Sequence, residues 1–338
     1  MSWVPPRLAR RCVRDPLWLP IALALQLVLA VAVVLGLVTA PFSRHRRVLR
    51  ASLLASVYLY LDVLLLWSAF GLWLRNLGRP TDPQAWRAAH AALLSRALSR
   101  LMAAARVLFG YQVQLVGREL VPAPGRPLVV LSRHAGPGDS FTLVHLLLTA
   151  CARHPRVVLK QALQWDPGLD VVLSRLHCYF LPSRSGAGED RSAAVADLVL
   201  GLTPDDALLL FPEGGNWTPR RHRRSVVRLL RAGHFRRAQV ARDRTHVLPP
   251  RPGGASAALS ARLDTDVLVI AHTGLDVLVN PGQMWRALPL HDRPMRIRGW
   301  LHPADEVPRA ESAVPGWLDE QWALVDQWIG TQHTPEPR

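Results

Sequence analysis

Lysine is almost missing from this chain. Of its 41 lysines and arginines only Lys160 is a lysine, and it follows Leu159 rather than glycine. That excludes the Gly-Lys-Ser/Thr end of a P-loop. Cysteine is scarce too: Cys12, Cys151 and Cys178 are an odd number with no Cys-x-x-Cys pair. A disulfide scaffold and a zinc ribbon are therefore excluded, and a reducing compartment fits. His-Glu-x-x-His, Gly-x-Ser-x-Gly and Gly-x-Gly-x-x-Gly are all absent. Those absences remove the zincins, the α/β-hydrolase elbow and the dinucleotide fingerprint. His222, His234, His246 and His272 are scattered without ligand spacing, and Asp264-Thr265-Asp266 reads as the start of a strand. No metal site is expected.

Acidic residues number 25, so the 338-residue chain carries a net charge of +16, and 49% of it is apolar. The apolar share excludes a disordered chain. The charge is uneven. Residues 1–110 hold fourteen arginines against Asp15, Asp62 and Asp82, and residues 220–244 hold ten against Asp243. The first zone flanks apolar runs, which fits anionic lipid headgroups better than nucleic acid. A nucleic-acid partner is not expected.

The run Leu17–Ala40 has no charge over 24 residues. As a helix it extends about 36 Å, enough for a hydrocarbon core of about 30 Å. A second run, Ala51–Leu74, is broken only by Asp62. A carboxylate at that depth is costly, so Asp62 is expected to face the first helix or a polar cavity. The short connection Pro41–Arg50 makes the two runs a hairpin, with equally basic flanks at Arg7, Arg10, Arg11 and Arg14. The charge bias gives no orientation and leaves open a crossing or a re-entrant hairpin. Pro83–Phe109 reads as an amphipathic helix that lies in the headgroup layer or packs on the next domain.

After Gly110 short apolar strands alternate with helices, which argues α/β. Strands are predicted at 111–116, 128–132, 157–159, 178–181, 207–211, 267–271 and 295–300. Helices are predicted at 140–152, 190–202, 220–232 and 315–329. The division expected is a membrane-embedded hairpin at 1–76, an interfacial helix or linker at 77–110, an α/β domain at 111–330 and a loose tail at 331–338.

Two strand-ending segments carry candidate chemistry. Ser132-Arg133-His134-Ala135-Gly136-Pro137-Gly138-Asp139 follows one strand. A Gly-Pro-Gly insert favours a turn that folds Asp139 back on His134. A carboxylate on one ring nitrogen leaves the other as a general base. The residues alone equally allow a helix N-cap aspartate beside a loop histidine. Phe211-Pro212-Glu213-Gly214-Gly215-Asn216 follows another strand, and its glycines expose amides to an oxyanion, or simply make a turn. Arg220, Arg221, Arg223 and Arg224 come next, as phosphate ligands or a solvated face. Lys160, the solitary lysine, ends a strand and suits a phosphate as a point charge.

Taken together, His-x-x-x-x-Asp after a strand, Phe-Pro-Glu-Gly roughly eighty residues on, and the two apolar runs ahead of them resemble the lysophospholipid acyltransferase family. The segments Leu159–Gly168, Tyr179–Arg184 and His246–Gly253, with the Trp317-Leu318 start of a Trp-rich last helix, also look like that family. The third resembles its lysocardiolipin acyltransferase-like branch. The resemblance implies the glycerolipid acyltransferase fold, a mixed central sheet flanked by helices behind a membrane hairpin. It implies acyl transfer from acyl-CoA or acyl-carrier protein to the hydroxyl of a lysophospholipid, 1-acylglycerol-3-phosphate or a relative. It places His134 as base and Asp139 as its positioner, with no covalent acyl-enzyme and no cofactor beyond the thioester co-substrate. Glu213, Gly214, Gly215 and Asn216 would shape the acceptor pocket, with Lys160, Arg184, Arg220 and Arg221 as phosphate contacts. Asn216 stands where the family commonly has arginine, which leaves a glycolipid or aminolipid acceptor open, as it does a non-catalytic lipid-binding role. The expected location is the cell membrane, with the active domain on the cytoplasmic face.

Overall fold

A computed structural model describes residues 4–43, 45–117, 125–136, 138–181, 188–276 and 281–333. A first turn α1 (Arg7–Ala9) winds through Arg10–Arg14 into α2 (Asp15–Thr39). Then come α3 (Arg47–Arg75), α4 (Pro83–Phe109), β1 (Val113–Leu115), β2 (Leu128–Ser132), α5 (Asp139–Thr149), β3 (His154–Lys160), α6 (Pro167–Arg175), β4 (Tyr179–Leu181), α7 (Gly188–Leu200) and β5 (Asp206–Leu210). The rest is α8 (Pro219–Arg231), α9 (Phe235–Asp243), α10 (Pro252–Ala261), β6 (Asp266–Thr273), α11 (Pro281–Ala287), β7 (Met295–His302) and α12 (Val314–His333).

Two compact units interleave along the chain. One holds residues 1–112, 144–185 and 285–293, and the other holds 113–143, 186–284 and 294–338.

In the first unit α2 packs on α3, and α3 on α4 and α6. The stretches Arg7–Phe42 and Arg47–Arg75 are long and apolar enough to cross a membrane, with mean hydropathy 2.9 and 1.8. Gly36 allows the hairpin its close approach: a Cβ there would lie 2.7 Å from the Leu49 Cα. Asp62 is buried, and its Oδ1 accepts from the Gly168 amide at 2.8 Å. That amide belongs to the first turn of α6, a helix the sequence pattern did not disclose because it opens on Pro-Gly. Asp170, fully buried in α6, draws in Arg10, Arg11 and Arg14 at 3.0, 2.9 and 2.9 Å. Helix α4 starts on Asp82, whose carboxylate accepts from Gln84 N and Ala85 N, and ends on Gly110 at φ +67°. Both ends follow the capping rules. Its buried residues include His90, Ala91, Leu94 and Leu98, and the helix packs on α3 and α6. Strands β3 and β4 pair in parallel.

In the second unit five strands run in the order β1-β7-β6-β2-β5. Neighbours are parallel except β6 and β7, which are antiparallel. Strands β2, β5 and β6 are buried along their whole length, as expected of parallel strands covered on both faces. Sheet and helices make the expected mixed α/β fold. Helices α8 and α9, the arginine-rich block, close a small core of Val226, Leu229, Ala238 and Ala241. Two of its arginines are tied down: Arg237 and Arg244 pair with Asp319 at 2.7 and 3.6 Å. The last helix continues to His333, three residues into the segment expected to be loose, and 334–338 lie outside the described residues.

Candidate active site

The parallel strands β2, β5 and β6 end at Ser132, Leu210 and Thr273, so three loops emerge at one end of the sheet. The carboxyl ends of parallel strands are where α/β proteins gather their ligands. Asp139 opens α5 and turns its carboxylate back onto the loop before it. Its Oδ2 accepts from His134 Nδ1 at 2.8 Å, Ala135 N at 2.9 Å and Gly136 N at 3.3 Å. Its Oδ1 accepts from Ser140 Oγ at 3.2 Å. A carboxylate only accepts, so the proton sits on Nδ1 and the lone pair on Nε2. No described residue bonds to that Nε2, and the His134 side chain keeps 20% of its exposure. Burial works against the Asp139 charge, but the His134 hydrogen bond, the His272 and His134 rings and the Gly136 amide outweigh it and lower its pKa. The His134 ring lies tilted on Phe211, centroids 4.7 Å apart.

A buried shell that the sequence reading did not single out lies behind this pair. Arg133 is 1% exposed; it donates to the His272 and His246 carbonyls at 2.7 and 2.9 Å and pairs with Asp276 at 2.7 Å. His272 is fully buried, its Nε2 3.1 Å from the Arg133 carbonyl and 3.7 Å from Asp139 Oδ2. Burial pushes the His272 pKa down to about 4. The ring is thus neutral near pH 7, with its proton on Nε2 facing the carbonyl. The Asp276 pKa is also lowered: burial raises it, but Arg133 chiefly overcomes that. The signal available was position, since His134 lies just past the end of buried β2 and His272 near the end of buried β6, but only the register Ser132↔Ile270 brings them together.

The 211–218 loop is tied to the first by Trp217 N donating to the His134 carbonyl at 3.0 Å. Glu213 is 2% exposed and points inward. Its oxygens accept from Leu248 N at 3.2 Å and Trp322 Nε1 at 3.3 Å, and burial pushes its pKa up to about 8. Gly214 sits at φ +68°, and a Cβ there would lie 3.1 Å from the Arg251 guanidinium carbon. Arg221 donates to the Asn216 carbonyl at 3.0 Å, beside Gly215. The loop therefore brings Arg221 against the glycines, and Arg251 joins it from outside the expected set. Arg220 is exposed at the start of α8, away from these bonds. Lys160 is exposed at the end of β3 in the other unit, and Arg184 lies outside the described residues.

A family model named Acyltransferase matches residues 112–273, a span that includes His134, Asp139, the Glu213 loop and His272. That span, just under half of the chain, resembles the acyltransferase family. An uncharacterized acyltransferase of Schizosaccharomyces pombe is 21% identical over 226 residues, 62% of this chain, and the chain spans 62% of that relative's length. Among solved structures, the 1-acyl-sn-glycerophosphate acyltransferase of Thermotoga maritima superposes with a TM-score of 0.56 at 15% identity. The match covers 86% of this chain and all of that one. This likeness is one of fold. The acyltransferase span ends where β6 ends, at Thr273, so β7 and α12 lie beyond the part the family model describes.

Proposed function

We propose that this protein is a membrane-bound O-acyltransferase that esterifies the free hydroxyl of a lysophospholipid from an acyl thioester. The observation that carries the reading is the 2.8 Å His134–Asp139 hydrogen bond inside the span that matches the Acyltransferase family model, with Nε2 left open at the strand ends. His134 Nε2 takes the proton of the acceptor hydroxyl while its oxygen attacks the thioester carbonyl. The new C–O bond forms, the C–S bond breaks, and the imidazolium returns the proton to the departing thiolate. Asp139 holds the ring in the required tautomer and stabilises its cationic form. Asn216 brings no charge, and we assign the acceptor's phosphate to Arg221 and Arg251 against Gly215 and Gly214. Glu213, turned inward, braces the loop through Leu248 and Trp322 rather than meeting the acceptor. The named solved relative acts on 1-acyl-sn-glycerophosphate, which makes that lysolipid the first acceptor to try. The two apolar helices support a seat in the membrane that supplies the acceptor, with the active unit on the cytoplasmic side where thioester donors are made.

The test is thiol release from acyl-CoA and acyl-carrier protein by membranes carrying the full chain, across a lysolipid panel. Release driven by one acceptor and lowered about 10²–10⁴-fold in His134→Ala, with an unchanged unfolding temperature, is the expected result. Equal rates in the variant and the wild type would overturn the mechanism.

A further inference from the structure

The first unit contains a cavity of about 480 Å³ that plays no part in the chemistry above. Its walls are mainly apolar, from Leu66, Trp67, Phe70 and Trp73 of α3 and Val171 of α6, and Arg175 lines it too. Trp73 and Arg175 are shared with a neighbouring hollow of about 370 Å³ that reaches Trp86. Arg11, Cys12 and Asp15 line the cavity from the start of the first span, while Leu66–Trp73 lie near the end of the second. These are the same end of the hairpin. Trp67, Phe70 and Trp73 remain 41–47% exposed there. That is the placement of an aromatic belt at the edge of a bilayer.

Arg175 is the unusual member. Arg11 is matched by Asp15 and Asp170. Among the described residues Arg175 has no ion pair with an acid, and it lies 5.3 Å from the centre of the Trp86 ring. Arg7 and Arg11 add positive charge beside it, and burial first, then these two, lower its pKa. A half-buried guanidinium among like charges calls for an anion. The apolar walls beside it reject a free, fully hydrated anion. We infer that this cavity holds one anionic phospholipid of the surrounding bilayer, with its phosphate on Arg175 and part of an acyl chain along the Leu66–Trp73 face of α3. The inference rests on the hairpin's seat in the membrane and not on acyl transfer.

The experiment uses the full chain in detergent micelles, titrated with phosphatidylglycerol or phosphatidylcholine, with bound lipid counted by native mass spectrometry. One phosphatidylglycerol should be retained about fivefold over phosphatidylcholine, the worth of one arginine at a headgroup. Arg175→Gln should abolish the preference, Arg175→Lys should keep part of it, and Arg231→Gln, in the other unit, should keep all of it. Alkylation of Cys12 by N-ethylmaleimide is a second readout. Phosphatidylglycerol should slow it, and glycerol 3-phosphate at the same concentration should not. Equal retention of the two lipids, an unchanged preference in a folded Arg175→Gln, or equal protection by glycerol 3-phosphate would overturn the site. A chain that loses this preference yet still transfers acyl groups would separate the two readings.

Discussion

At the scale of single residues, the arrangement around His134 depends on protons being in particular places. Asp139 must be ionised to hold the Nδ1 proton, and its lowered pKa keeps it so. His272, 3.7 Å from the same oxygen, must stay neutral, because a charge there would compete with His134 for that carboxylate. Burial accomplishes this, and it has a cost that pH reveals. An unfolded histidine takes up its proton near pH 6.5, whereas the folded His272 takes it up near pH 4. The unfolded state therefore binds more protons between those values, and its stability relative to the native state rises as pH falls. His272 alone accounts for a loss of up to about 3 kcal/mol across that window. Denaturant midpoints measured from pH 7 to pH 4 should fall, and in His272→Gln they should fall less. Equal slopes would show that His272 does not govern the acid limb. Arg133 was legible only as the residue between a predicted strand and His134. Its burial against Asp276 and two carbonyls could not be read from one sequence, because those partners lie over a hundred positions away.

At the scale of elements, the buried parallel strands were the most legible. Strand β2 coincides with its predicted span and β5 starts one residue earlier, since an apolar run bounded by Pro127 or Asp206 has few other readings. Helices α6, α9 and α10 were not predicted. α6 and α10 begin on Pro-Gly, and α9 is rich in arginine, so none of the three shows a clear apolar stripe. Their tertiary neighbours supply what the local pattern lacks: Asp166 caps α6 through Leu169 N at 2.9 Å, and α9 closes on α8 through Ala238 and Ala241. The hairpin is the reverse case, plain in composition but fixed in its packing by one small residue. Gly36→Val would drive methyl groups into the Leu49 backbone and should destabilise the hairpin by about 1–3 kcal/mol. Thermal unfolding in detergent would register this as a lower midpoint, and an unchanged midpoint would mean that α2 and α3 do not pack at this contact.

At the scale of the whole molecule, two apolar spans precede a sheet whose strand ends hold the candidate chemistry. If the spans lie in a bilayer, washing membranes with alkaline carbonate should leave the full chain in the pellet, while high salt alone should not release it. Release by salt would reduce the attachment to the basic surface, which salt screens. Composition and pattern determined a great deal by themselves: the two apolar runs, the α/β alternation, the His-x-x-x-x-Asp and Glu-Gly-Gly-Asn loops and the resemblance to acyltransferases. Each is a local property, set by hydropathy over a few turns or by residues adjacent in the chain. Tertiary structure alone decided the rest. It placed residues 144–185 with the N-terminal helices, turned Glu213 inward, set Arg251 against Gly214, and put His272 behind Asp139. The physical reason is the same in each case. These contacts join segments far apart in sequence, and strand register and side-chain burial, which no local pattern encodes, determine which of them meet.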